Sequence, residues 1–94
     1  MPENQLSFAS TTEFINYWLL YACDQNDLIS YFDHIQWEFS ERLRVTFGKA
    51  YYKQDRIVFS KNVWSKASEE ERRQVVIHEA CHLIAHQKYH FNRS

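Results

Sequence analysis

Three observations predict an α+β fold for these 94 residues. A capped, strongly apolar segment lies near the N-terminus. Apolar and polar residues alternate through the middle of the chain. A second capped segment near the C-terminus repeats its apolar positions at helical spacing. The expected order is an N-terminal helix, a small antiparallel sheet or hairpin of three to four strands, and a motif-bearing C-terminal helix. The length suits a single domain, 1–94, with a modest core.

Ser10-Thr11-Thr12-Glu13 has capping-box spacing and opens the first helix. Phe14, Trp18, Leu19, Ala22 and Cys23 make that helix apolar, and Asp24-Gln25-Asn26 interrupts it before it resumes through Leu28–Phe32. Ile35, Trp37 and Phe39 alternate with polar residues as in a half-buried strand, and Leu43, Val45 and Phe47 do the same. Gly48, the single glycine, interrupts this run and marks a bulge or a close backbone approach. Ala50–Tyr52 and Ile57–Phe59 are two further strands, joined by the hairpin connection Lys53–Arg56. Ser60–Lys66 is a loop with a short helical turn presenting Val63 and Trp64. Ser68–Glu71 is a second capping box, with acids placed where the helix dipole favours them. The helix it opens is apolar nearly all round through Val75–Ala85, which predicts burial on most sides.

An apolar fraction of 45% and 24% charged residues describe a globular chain, and exclude disorder over its whole length. The two cysteines, Cys23 and Cys81, read as buried free thiols rather than a disulfide framework. The N-terminus has neither the basic nor the apolar region of a signal peptide, which leads to the expectation of a cytoplasmic protein. Residues 1–41 carry seven acids and no Lys or Arg, whereas residues 42–66 carry seven cations against Asp55 alone. Either the two regions pack side by side and neutralise each other, or the basic middle faces a polyanion.

The chemistry concentrates in His78-Glu79-Ala80-Cys81-His82, an H-E-x-x-H. Residues four apart on a helix lie about 40° apart around the axis and about 6 Å along it. His78 and His82 therefore share a stripe and can clasp one ion. Glu79 lies about 100° round from His78, where it can reach a water on that ion and take its proton. This is the division of labour in zinc peptidases with this motif. Imidazole also suits copper and nickel, so zinc is the first expectation among several metals. A catalytic zinc needs a third protein ligand. His86 and His90 continue the four-residue spacing and are candidates, although in an unbroken helix the Cα atoms of His78 and His86 are about 12 Å apart. The pattern H-E-x-x-H-x-x-G-x-x-H fails, with Ala85 and Lys88 at its glycine and histidine positions. No Asp or Glu follows Glu79. His34 reads as a surface residue, and Cys81 as a thiol packed on the apolar side.

R-L-R-V-T-F-G-K-A-Y-Y (42–52), R-I-V-F-S (56–60) with Trp64 after it, and E-E-R-R-Q-V-V-I-H-E-A-C-H-L-I-A-H (70–86) together resemble the SprT-like zinc metallopeptidase family. The resemblance implies a zincin-like arrangement of helix, glycine-bearing hairpin and active-site helix. It implies Zn2+ held by His78 and His82, with Glu79 as the catalytic residue, acting on a protein or peptide substrate. Eukaryotic relatives cleave proteins crosslinked to DNA. The family's third ligand is a histidine in a later H-G-containing segment, so the resemblance makes this a C-terminally truncated member. Arg42, Arg44, Lys49 and Lys53, interleaved with Phe47, Tyr51 and Tyr52, then become candidates for DNA contact.

Two functions follow. One is a zinc-dependent metallopeptidase acting on DNA-associated proteins. The alternative is a non-catalytic relative that binds metal weakly and acts as a nucleic-acid or protein binding module.

Overall fold

The computed structural model describes residues 7–93, with side chains through Tyr89. Helix α1 (Thr11–Gln25) starts where Ser10 Oγ accepts from the Glu13 amide at 3.2 Å, while the Glu13 carboxylate accepts from the Ala9 amide at 2.6 Å. The helix ends at Asn26, and a 3-10 turn (Ile29–His34) carries the chain to the sheet.

Strands β1 (Gln36–Ser40), β2 (Gly48–Tyr51) and β3 (Arg56–Ser60) form one sheet in the order β1-β3-β2. β3 is central because Ile57-Val58-Phe59 is apolar on both faces and buried on both. β2 pairs with it antiparallel, as expected of a hairpin. β1 pairs with it parallel, so the sheet is mixed, and the expectation of a wholly antiparallel sheet is corrected at this pair.

The cause lies in residues 41–47, which are not a strand. Two of their carbonyls are bound by side chains instead of a ladder: Ser60 Oγ donates to Leu43 O at 2.6 Å and Asn62 Nδ2 donates to Arg44 O at 3.3 Å. The Ser60 amide donates to Phe47 O at 2.8 Å. The segment is therefore a crossing loop that lets β1 and β3 run in the same direction, and Val45 on it is 90% exposed.

Short helix α2 (Lys61–Lys66) is capped by Ser60 and buries Trp64. Trp64 packs against Phe14, Phe39, Phe47 and Phe59, with ring centroids 5.3–6.2 Å apart. The Arg72 guanidinium covers the indole and its Nε donates to Trp64 O at 2.9 Å. Helix α3 (Glu69–Arg93) opens on a reciprocal Ser68–Glu71 capping box. Its inward stripe, Val76, Ala80, Leu83 and Ile84, packs in one core with Ile15, Leu19, Ala22 and Cys23 of α1.

The acidic and basic regions meet at two surface ion pairs, Arg56–Glu38 at 2.7 Å and Lys61–Glu41 at 3.3 Å. Both are solvated and each contributes at most about 1 kcal/mol. Among the described residues, no helix is long and apolar enough to cross a membrane.

Candidate functional site

Helix α3 carries His78, Glu79 and His82 without a break, because the Ser68 cap and the apolar stripe beneath them hold the helix to the sheet and α1. Both imidazoles are exposed, and their Nε2 atoms lie 3.1 Å apart with the rings nearly perpendicular. Tetrahedral zinc, with Zn–N bonds of about 2.0–2.1 Å, holds adjacent nitrogens about 3.3 Å apart. The pair fits two corners of such a site. At this separation the same two nitrogens can also share a proton.

Glu79 differs from its neighbours in being 7% exposed. It lies against Gly48, the first residue of β2. A Cβ at that position would stand 3.1 Å from Glu79 Cγ and 3.3 Å from Val75 Cγ2. A side chain there would force these neighbours to give way by a few tenths of an ångström, so the glycine sits at a close approach, one of the two roles expected from the sequence. Burial raises the Glu79 pKa above its ordinary value, opposed by the charges of His78 and His82. A carboxylate raised in this way is a better proton acceptor near neutral pH than an exposed one.

Glu79, His82 and His86 open onto one cavity of about 390 Å3 beside Gly48, Lys49, Ala50 and Tyr52. His86 is half-buried and stacks on Tyr52, with centroids 4.4 Å apart. Helix α3 does not fray after Ala85, so His86 stays a full turn beyond His82. His90 lies outside the described side chains. Among the described residues, no group of three or more His, Cys, Asp or Glu converges on a metal position. His34 is exposed, as expected, and stacks on Tyr31.

On the other side of the pair, His78 borders a larger groove of about 900 Å3 that runs toward Phe47 and α2. Periodicity gave no sign of this groove, because it forms between a loop, α2 and α3. Cys81 also borders it and is exposed, which corrects the expectation of a buried thiol. The cause is that the sheet and α1 cover a narrower arc of α3 than its composition suggests; Ala85 is exposed as well. Cys23 is buried as expected, and burial, reinforced by the charge of Cys81, pushes its thiol up to about 11.

Of the four candidate DNA-contacting cations, Arg44 borders the groove and Lys49 borders the cavity beside Glu79. Arg42 and Lys53 are exposed and border neither. Lys49 also stands over the Tyr51 ring at 5.7 Å.

The SprT-like family model matches residues 15–94, from the first buried turn of α1 through the motif helix. The chain belongs to the SprT-like family. Among curated proteins, none matches it. The SprT-like match takes in α1, and so extends the resemblance beyond the hairpin and motif helix. In this SprT-like chain β2 sets Gly48 directly against the motif glutamate.

Proposed function

We propose that this SprT-like chain is a zinc-dependent peptidase acting on a protein or peptide substrate, with His78 and His82 as metal ligands and Glu79 as the proton-transferring residue. The observation that carries the reading is the 3.1 Å approach of the two Nε2 atoms beside a buried, proton-avid carboxylate. Zinc, when bound, supplies the Lewis acidity that makes water acidic near neutral pH. The chain's own part is to hold the imidazoles in register on one helix and to aim Glu79 into the cavity beside them. Glu79 takes a proton from the attacking water and returns it to the leaving amine. Gly48 keeps β2 close enough to desolvate that carboxylate.

The test is zinc stoichiometry of the purified chain after dialysis against a mild chelator. About one zinc per chain is expected, lost in His82→Ala. Glu79→Gln should keep the zinc and abolish peptide hydrolysis. A wild-type chain that retains no zinc sinks the catalytic reading and leaves the non-catalytic binding module.

A second reading, contact with DNA-associated substrates, draws support from the exposure of Arg42, Arg44, Lys49 and Lys53. Such contact should weaken steeply with salt. Failure to retain single-stranded DNA even at low salt would remove it.

A further inference from the structure

The groove on the His78 side has a chemistry that the motif does not explain. Part of its wall is apolar: Phe47 from the crossing loop, Val63 from α2, and Val75 and Ile77 from α3. Phe47, Val63 and Ile77 are half-buried, whereas Val75 is buried. A solvated apolar recess of about 900 Å3 is large enough for one or two side chains of a bound peptide. His78 and Cys81 of α3 both border it, so a chain bound there would lie beside the first imidazole of the motif.

The charges on the groove are uneven. Arg44 and Lys66 border it, and neither pairs with a carboxylate among the described residues. The one acid that borders it, Glu71, already accepts from the Ser68 amide at 2.8 Å in the α3 cap. Two unpaired cations beside an apolar recess favour a ligand with a carboxylate next to a large apolar side chain. Burial of that side chain supplies affinity, and the cations supply selectivity and a faster encounter.

We propose that this groove is the substrate-recognition subsite of the chain, and that it takes a peptide segment in which a large apolar residue stands beside an acidic one. Val63 and Ile77 contact the apolar side chain, and Arg44 and Lys66 face the carboxylate. The inference deepens the peptidase reading and rests on it for the word substrate. The binding itself requires neither zinc nor turnover.

The experiment uses the full chain carrying Glu79→Gln. It measures fluorescence anisotropy with two labelled peptides that share a central Phe, one flanked by Glu and one by Lys. The Glu-flanked peptide should bind about tenfold more tightly at low salt, a difference that corresponds to about 1.4 kcal/mol. Val63→Trp, which fills the recess, should weaken both peptides at least about fivefold. Arg44→Ala with Lys66→Ala should erase the preference and leave the Lys-flanked peptide little changed. These two positions are exposed, so that variant keeps the test valid even where Val63→Trp disturbs folding. Absence of binding, equal binding of both peptides, or a preference untouched by the double substitution overturns the proposal. Zinc stoichiometry and hydrolysis of an unrelated unfolded protein are measured in parallel on the chain with Glu79 intact. A chain that holds zinc and cleaves without the preference loses only the subsite. A chain that shows the preference without zinc loses only the peptidase.

Discussion

The two faces of α3 are built to opposite rules. The inward face, Val76, Ala80 and Leu83, is fully excluded from solvent and carries no polar atom. The outward face, His78, Cys81 and His82, is exposed, and its groups keep their solvation until a ligand arrives. Glu79 sits on the boundary, with its backbone on the same helix and its side chain under β2. The difference shows how one helix of a small domain can anchor a core and present polar side chains at once. Burial is concentrated in one stripe of the helix and the exposed imidazoles in another, and the Glu79 carboxylate crosses between them.

The sharpest way to break this comparison is to cut into the inward stripe. Leu83→Ala should destabilise the fold by about 2–5 kcal/mol, through lost burial and an unfilled cavity. Cys81→Ala on the other face should change stability by no more than about 0.5 kcal/mol. Urea midpoints of the two variants measure the contrast, and comparable losses would mean that the outward face also carries packing.

The boundary is tested next. Gly48→Ala forces a Cβ to within 3.1 Å of Glu79 Cγ and 3.3 Å of Val75 Cγ2. Relief requires β2 or the glutamate to shift, at a cost of about 1–3 kcal/mol. Hydrolysis should fall more than zinc binding does, because the displaced group is the carboxylate and not an imidazole. An undisturbed urea midpoint in Gly48→Ala would show that β2 yields freely.

A smaller effect comes from the proton on Glu79. In the zinc-free chain, burial raises its folded pKa above the ordinary 4.5. The native state then holds that proton more tightly than the unfolded state. Stability contributed by the protonated form is full below about pH 4.5 and is lost as pH rises toward the folded value. Glu79→Gln should remove this decline and leave the variant more stable than the wild type at pH 7. Superimposable stability–pH profiles for the two proteins would contradict it.

The two thiols give the mildest probe. Cys81 is exposed, whereas Cys23 is enclosed with its pKa at about 11. A thiol reagent at neutral pH should modify one cysteine per native chain quickly and the second only after denaturation. Rapid modification of two would place both on the outside.

Features written in local sequence were legible without coordinates. The Ser68–Glu71 capping box forms as predicted, and Ser10 caps the Glu13 amide as predicted while the Glu13 carboxylate reaches the Ala9 amide, because a cap involves only neighbours in the chain. The apolar run Ile57–Phe59 marked a strand, and Gly48 marked a close approach. The stretch Leu43–Phe47 had the same alternation as Trp37–Phe39 but took another path. Its carbonyls are bound by Ser60 and Asn62, residues that periodicity cannot connect to it. The groove has no local signature for the same reason, and the exposure of Cys81 is set by neighbouring elements, which alone decide how wide the covered arc of a helix is. Within the site, the helical spacing of His78 and His82 foretold their convergence. The burial of Glu79 depends on β2 and could not be read from α3 alone.

The parallel pairing of β1 and β3 has a consequence for how the chain folds. Each partner in that ladder, from Gln36 opposite Arg56 to Ser40 opposite Ser60, lies at the same long offset in sequence. The β2–β3 hairpin closes locally, from Tyr51 opposite Arg56 outward. Loop-closure entropy favours the hairpin first, with β1 docking afterwards on an edge already formed. Docking of β1 is also tied to α1, because Trp37 Nε1 donates to Asn16 Oδ1 at 2.9 Å. In stopped-flow chevrons, substitutions in β1 should therefore speed unfolding, and substitutions at the hairpin should slow folding. The reverse pattern would make β1 part of the nucleus. In the expected order, the strand that shelters Glu79 is in place before the domain is closed.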